Sequence, residues 1–512
     1  LRGNPYALAV ASGILLALSF PPSPLGFLAF VAFLPLLVSV RGRPVGIVFR
    51  SSMLAGSTFG VCLLYWIANL WVEPKVKPFL VGGVGLLCIY FGLAFAFPLT
   101  GLRLATKRFG RLGLLSFPFF FVGLEFLRSL SHMGFPWGSI GYTQTEYPQL
   151  IQFASVTSVA GVSFWVASIN LSLYFLFFGG LKRNLKLLSV VVLLVLFGLP
   201  LMQWHFMPKD CGGGQVRVAV VQAGVPPSLK RSGEDEERLA ILIEESHRIA
   251  RGEVELAVWP ETAVPGYFPR ESGYESVVQA VSDSLATPIL LGSQDLKRAG
   301  EKRYDYYNAA FLISPHEGIC GTYHKTQLVP FGERMPFDDV IPALRNIPLG
   351  QGHFSPGREH TIFKIGDKRF ATLICFESIF PRLVRRFVNK DAQFLVNITE
   401  DGWYGRTSGQ YQHAGMAVMR CIENRISLAR CANTGISMFV DPYGRTSGRT
   451  RTFTRVTESA AISLRSCETF YSKHGDLFAW VLVTVSAVVL ALIFLAGRGL
   501  CPGCARLRRD SY

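Results

Sequence analysis

A repeated pattern of paired cysteine spacings is missing from this chain. Its ten cysteines are scattered over 512 residues, which removes a disulfide ladder or a zinc framework as the organising device. The one CxxC, Cys501 and Cys504, lacks a second ligand pair, and metal binding and juxtamembrane acylation compete as readings of it. A concentrated basic face is missing too. The net charge of +16 sits beside apolar segments rather than on one soluble surface, which argues against nucleic acid as a partner. Acidic residues are nearly absent from positions 1–206, where only Glu73, Glu125 and Glu146 occur. A transport pathway uses intramembrane ionisable groups, and Glu125 alone is thin support for one. That weakens the reading of a polytopic binding or transport protein with an inactive globular part.

Apolar sequence is what abounds. Segments 6–22, 25–40, 52–72, 79–99, 113–130, 155–178, 185–206 and 477–497 predict a membrane α-helical bundle of about eight transmembrane helices. Pro21, Pro22, Pro24 and Pro35 make the first two the least regular. A cleaved signal peptide competes for the first, but it lacks a small-residue cleavage site and more apolar sequence follows at once. Buried core helices compete for the whole set, against its repeated length and near absence of charge. Basic residues follow every even-numbered segment: Arg41, Arg43 and Arg50; Arg103, Lys107, Arg108 and Arg111; Lys182, Arg183 and Lys186; Arg498, Arg506, Arg508 and Arg509. The loop 131–153 has no Lys or Arg, and the loop after the third segment has only Lys75 and Lys77, beside Glu73. The positive-inside rule then puts both termini in the cytoplasm and the large globular part on the other side. Three regions are expected: a membrane bundle over 1–208, a globular domain over 209–475, and a last helix with a basic tail over 476–512.

The globular part alternates β-type runs, at 216–221, 255–259, 288–292, 308–313, 372–374, 394–397, 427–431 and 436–440, with amphipathic stretches at 235–251 and 412–425. Such alternation predicts an α/β domain whose sheet is covered by helices, with ligands bound beyond strand C-termini. Glu261 and Cys375 both fall at such exits. The connector 336–354, with Ile341, Pro342, Leu344, Ile347, Pro348 and Leu349, is apolar enough to predict a membrane-facing lid, a packed connector being the alternative.

Three short segments carry chemistry. Trp259-Pro260-Glu261 offers a carboxylate at the end of an apolar run, a general base if burial raises its pKa, or otherwise a helix cap. Tyr323-His324-Lys325, with Glu333 eight residues on, offers an ammonium for a developing oxyanion and a carboxylate to orient it; a surface ion pair is the plain alternative. Cys375-Phe376-Glu377 offers a thiol where a helix opens, expected to be acidified by the helix N-terminus and a nearby lysine; a small buried residue is the alternative. A base, an oxyanion stabiliser and a nucleophile together suffice for acyl transfer. His324, His353 and His413 invite a Cys-His dyad that their spacing does not favour. Trp403 and Tyr404, between Gly402 and Gly405, read either as pocket walls or as packing aromatics.

With Trp259-Pro260-Glu261-Thr262, Tyr307-Asn308-Ala309, Tyr323-His324-Lys325 through Val329-Pro330-Phe331-Gly332-Glu333, Cys375-Phe376-Glu377, and Asn397 through Asp401-Gly402-Trp403, the globular part resembles the nitrilase, or carbon-nitrogen hydrolase, superfamily. The flanking helices make the whole chain similar to the apolipoprotein N-acyltransferase family. This resemblance implies an αββα sandwich joined to the membrane bundle, and a triad of Glu261 as proton acceptor, Lys325 as oxyanion stabiliser and Cys375 as nucleophile. Glu333, Phe376 and Glu377 would support it, and Trp259, Asn308, Trp403 and Tyr404 would line the pocket. No metal or diffusible cofactor is implied. The implied donor is a membrane phospholipid, typically the sn-1 chain of phosphatidylethanolamine. The implied acceptor is the amine of a diacylglyceryl-cysteine apolipoprotein in the bacterial inner membrane, acylated through a thioester as the last step of lipoprotein maturation. Phe376 departs from the tyrosine common after the cysteine, which puts only a hydroxyl contact in doubt. A membrane-tethered amidase using water is the competing activity.

Overall fold

The computed structural model describes residues 3–70, 77–130, 134–208, 213–225, 235–268, 270, 273–299, 304–346 and 353–497. Cys501 and Cys504, the basic residues after 497, Glu73 and Lys75, and Ile347, Pro348 and Leu349 lie outside them. The chain divides into two compact units, one of residues 1–68, 78–207 and 474–512, the other of residues 69–77 and 208–473.

Among the described residues the first unit is helical: α1 (Pro5–Leu18), α2 (Leu34–Val40), α3 (Val45–Ala68), α4 (Lys77–Phe109), α5 (Phe117–Leu127), α6 (Ala154–Phe177), α7 (Arg183–Phe206) and a further helix Leu477–Gly497. Among the described residues five stretches are long and apolar enough to cross a membrane: α3, Leu80–Leu127, α6, α7 and Leu477–Ala496. Pro5–Leu18 and Gly26–Val40 are shorter, so length alone does not reproduce the number eight. The Leu80–Leu127 stretch holds two expected segments, because α4 continues well past residue 99 and carries Arg103, Lys107 and Arg108 on its C-terminal end. Those cations complement the helix dipole, and Gly110, at φ 57°, ends the run.

Aromatic rings fill the interior of this unit. Phe33 lies 4.8 Å from Phe121 and 5.3 Å from Phe117, and Phe59 lies 5.5 Å from Phe91, centroid to centroid. Helices close on one another at small residues: a Cβ on Gly56 would stand 2.3 Å from the Phe91 carbonyl oxygen. Outward, α7 presents Leu187 and Leu194, 64% and 67% exposed. Such a surface needs lipid rather than water as its solvent. Glu125, the lone buried acid noted in the sequence, accepts from Ile140 N at 2.9 Å and from the Ser163 hydroxyl, so it ties a loop to α6.

The second unit holds two six-stranded sheets. One runs in the order β12 (Val456–Ser463), β1 (Gln215–Gln222), β2 (Leu256–Val258), β3 (Ile289–Arg298), β4 (Tyr304–Ser314), β5 (Gly318–His324). The other runs β11 (Thr446–Ser447), β10 (Met438–Val440), β9 (Ser427–Ala432), β8 (Phe394–Thr399), β7 (Lys368–Ile374), β6 (Phe363–Ile365). The sheets face each other: Cys431 Sγ on β9 lies 3.4 Å from Val221 O on β1 and 3.2 Å from Val258 O on β2. Their outer faces carry helices. Leu239 and Leu242 of α8 (Asp235–Ser246) and Val278, Val281 and Leu285 of α9 (Tyr274–Leu285) pack with Val221, Trp259, Leu291 and Phe311. The second sheet is covered by α10 (Pro381–Val388), which buries Leu383, Val384 and Phe387, and by α11 (Ser408–Asn424). This is an αββα sandwich.

Strands β5, β6, β11 and β12 escape a reading by composition. β12 is Val-Thr-Glu-Ser-Ala-Ala-Ile-Ser, small and polar, and is held by its pairing with β1, Gln215 opposite Ser463. The expected helix opening at Cys375 is a five-residue 3-10 turn, Cys375–Ile379, because Pro381 starts a separate helix. In the apolar connector after Glu333, Phe337 and Val340 are 63% and 78% exposed.

Candidate active site

Lys325 follows β5, Glu261 follows β2 and Cys375 follows β7, so three strand ends deliver the three segments into one buried cluster. Glu261 is 5% exposed and Lys325 1%. The Lys325 ammonium donates to Glu333 Oε1 at 2.8 Å and lies 3.5 Å from Glu261 Oε1. Asn308, on β4, joins the two carboxylates: its Nδ2 donates to Glu261 at 2.8 Å and to Glu333 at 3.0 Å. The second oxygen of Glu261 accepts from Glu400 N at 2.9 Å, and that of Glu333 from Val329 N at 2.8 Å. Both carboxylates are therefore held at both oxygens. Burial works against the Lys325 charge, but Glu333, Glu261 and Cys375 outweigh it and hold its pKa above the ordinary lysine value.

The Cys375 thiol corrects the sequence reading. Burial first, then the negative charge of Glu261, pushes it well above the ordinary thiol value, and Lys325 pulls it down by less. The anticipated acidification by a helix N-terminus fails because the turn at Cys375 is too short to supply that field and the surroundings are dry. The Cys375 thiol is therefore neutral at rest and would need a base to become a thiolate. Handing its proton to Glu261 moves one negative charge within the cluster without adding another, so the transfer requires little new solvation.

Three of the non-glycine residues with positive φ fall in these segments. Cys375 sits at φ 51°, Thr262 beside Glu261 at φ 50°, and Phe331 at φ 63°, a region that side chains disfavour. Glu377 fixes the cysteine turn, with Oε2 accepting from Ile374 N at 2.9 Å. Its Oε1 accepts from the Tyr323 hydroxyl at 2.7 Å, Thr326 N at 2.8 Å and Gln327 N at 3.1 Å, which links the lysine loop to the cysteine turn. Phe376 packs on Phe380 at 5.1 Å.

The aromatic residues separate. Trp259 is fully buried on the helix-covered side of its sheet, its indole N–H donating to Ser246 Oγ at 2.9 Å, so it belongs to the core and not to a pocket. It points away because successive strand residues face opposite sides, and Glu261 lies past the strand's end. Tyr404 faces the cluster: burial, then the charges of Cys375, Asp401 and Glu261, push its phenol well above the ordinary value. Trp403 is half-buried beside it.

Of the three histidines, His324 stacks on Tyr307 at 4.3 Å and meets Asp295 at 2.7 Å. His353 is half-buried, at the end of the apolar connector. His413, on α11, is fully buried behind Cys375, with Nε2 at 3.1 Å from the Cys375 carbonyl oxygen and 3.0 Å from Ser378 Oγ. Its Nδ1 lies 2.9 Å from Asp401 Oδ1 and 3.1 Å from Arg430 Nη2. Arg430 also bonds Asp401 Oδ2 at 2.7 Å and Asn397. Thr399 donates to Asp401 Oδ1 at 2.9 Å. Ligand-type atoms of Cys375, Asp401 and His413 fall within 4.8 Å of one another, but both Asp401 oxygens are taken by Thr399, His413 and Arg430, and a guanidinium at that point opposes a cation. Sequence reasoning passed over this network. Its signal was Arg430, a charge set inside the otherwise uncharged strand Ser-Leu-Ala-Arg-Cys-Ala.

Comparisons with known proteins identify the family. Residues 12–172 match the apolipoprotein N-acyltransferase N-terminal domain, and residues 217–471 match the carbon-nitrogen hydrolase domain. The chain is 38% identical over 500 residues to the apolipoprotein N-acyltransferase of Geobacter metallireducens, covering 96% of this chain and 95% of that one. It is 35% identical over 527 residues to that of Chlorobaculum tepidum, covering 96% and 97%. To the Thermotoga maritima protein of the same name it is 28% identical over 504 residues, covering 96% and 94%. With a carbon-nitrogen hydrolase sandwich set among membrane-length helices, and relatives aligned over nearly their whole length, this chain belongs to the apolipoprotein N-acyltransferase family and is an N-acyltransferase.

Proposed function

We propose that the domain of residues 209–475 transfers an acyl chain from a membrane phospholipid, phosphatidylethanolamine being the favoured donor, to the amine of a diacylglyceryl-cysteine apolipoprotein. The observation that carries the reading is the buried cluster of Glu261, Lys325 and Glu333 beside a neutral Cys375 thiol. Glu261 takes the thiol proton, and Sγ attacks the ester carbonyl carbon. The oxyanion is held by Lys325, two of whose three donors already face carboxylates, and by the backbone N–H of Phe376. As the tetrahedral adduct collapses, the C–O bond breaks and the proton on Glu261 passes to the departing lysophospholipid hydroxyl. A thioester remains on Cys375. The acceptor amine then attacks it, Glu261 takes the amine proton, and the C–S bond breaks. That proton returns to sulfur, leaving an amide on the lipoprotein and the thiol restored. Asn308 and Tyr404 border the reacting atoms. The inner-membrane site, with the catalytic domain periplasmic and both termini cytoplasmic, is part of the same proposal.

Incubation with phospholipid and no acceptor should make the enzyme heavier by one acyl group, in a linkage cleaved by neutral hydroxylamine. Cys375→Ala should abolish the adduct. Lys325→Ala should slow its formation by about 100-fold to 1,000-fold, as loss of one oxyanion donor does. A diacylated lipopeptide should then discharge the adduct faster than water. Discharge by water at an equal rate would favour the amidase reading, and an adduct persisting in Cys375→Ala would overturn the nucleophile.

A further inference from the structure

The Cys375 backbone is left-handed at φ 51°, a conformation that costs a non-glycine residue free energy and persists only where its surroundings over-determine it. Glu377 holds the turn from one side at Ile374 N, and contacts to the Cys375 carbonyl hold it from the other. The Cys375 oxygen receives Ser378 Oγ at 3.0 Å and faces His413 Nε2 at 3.1 Å. A carbonyl oxygen only accepts, so the second contact is a bond only when Nε2 carries a proton. The other side of the ring tolerates either state. Asp401, which Arg430 and His413 hold ionised with its pKa down to about 2 despite burial, accepts from a protonated Nδ1 at 2.9 Å. Arg430 Nη2 donates to an unprotonated Nδ1 at 3.1 Å. Asp401 and Arg430 therefore fix the ring without choosing its Nδ1 state. Ser378 Oγ also lies 3.0 Å from Nε2, and with its one proton given to the Cys375 oxygen it can only accept there, so carbonyl and hydroxyl together favour the proton on Nε2.

We propose that His413 is a positioning residue for the nucleophile: its Nε2–H holds the Cys375 carbonyl, and through it the left-handed turn, in the orientation that presents Sγ to Glu261 and Lys325. His413 touches no reacting atom in this role. The inference rests on the reading of Cys375 as nucleophile. It reaches beyond that reading by assigning work to α11 and to a residue outside the triad.

Glutamine and asparagine divide the histidine's two contacts. A glutamine amide reaches about as far as Nε2 and still donates to the carbonyl, whereas an asparagine amide reaches about as far as Nδ1 and serves only Asp401 and Arg430. In the full chain in detergent, single-turnover thioester formation should be slowed by about 100-fold in His413→Asn, the loss typical of a misplacement of ångström size. KM for phospholipid should stay unchanged, and His413→Gln should recover most of the rate. His413→Asn acylating at the wild-type rate, or His413→Gln as slow as His413→Asn, would overturn the proposal. A second measurement needs no variant to fold well. In the wild-type enzyme with 15N-labelled histidine, the His413 signal should show a proton on Nε2; a neutral ring carrying its proton on Nδ1 alone would overturn the proposal. Mapping the acyl adduct separates the two levels, since an adduct away from Cys375 sinks the nucleophile, whereas an adduct on Cys375 formed at full rate in His413→Asn sinks only the positioning role.

Discussion

Glu261 acts on Cys375 in two opposed directions. Its charge keeps the thiol protonated, second only to burial, yet in the proposed mechanism it is the carboxylate that takes that proton. Removing the charge should therefore have a crossed outcome. Glu261→Gln should move the pH profile of Cys375 alkylation by a small haloacetamide to lower pH, because a negative neighbour that disfavoured the thiolate is gone. Thioester formation should at the same time fall by about 100-fold to 10,000-fold through loss of the general base. An alkylation profile that moves upward, or does not move, would contradict the electrostatics. The gathering of Glu261, Lys325 and Glu333 into one cluster was legible in the sequence because their segments are short and distinctive. The direction of the thiol's shift was not, since adjacency to a turn says nothing of how dry the site is. Trp259 misled for a similar reason: its side of the strand is set by pleat and register, and one residue's difference reverses it.

At the scale of elements, Glu261, the proposed base, is seated by a strand that gives way to it. Gly292 on β3 lies where an added Cβ would stand 2.7 Å from Glu261 Cα and 2.9 Å from Pro260 O, both backbone atoms that cannot swing aside. Gly292→Ala should destabilise the catalytic unit by about 1–3 kcal/mol, measured as a lower thermal midpoint. It should also depress acylation more than that loss of folded protein explains, because the Glu261 turn is displaced. Unchanged activity per folded molecule would show the turn to be compliant. The eight β-type runs read from composition all correspond to strands or parts of them, since each is apolar and buried. The strands that were missed are short edges or, in β12, a polar segment stabilised by a distant partner. Similarly, α4 overran its expected end because an apolar window stops at the first cations, whereas a helix stops only at a breaker.

Over the whole molecule, the distribution of Arg and Lys predicts an orientation that a native side chain can report. Cys320 on β5 is exposed. In cells with a permeabilised outer membrane and an intact inner one, a membrane-impermeant maleimide should tag Cys320, and Cys320→Ser should lose that tag. Labelling only after the inner membrane is opened would reverse the assigned topology. The pairing of β1 with β12 has a temporal consequence. Gln215 lies opposite Ser463, so the first strand of the catalytic unit to be synthesised waits for the last before its outer edge is covered. A nascent chain emerging from its N-terminus carries an open β edge through nearly all of the domain's synthesis, and an open edge is a template for misassociation. The ribosome reaches the final apolar helix, Leu477–Gly497, soon after it delivers the strand that closes the sheet. Completion of the enzyme's fold and its last stitch into the bilayer are thus adjacent events in translation.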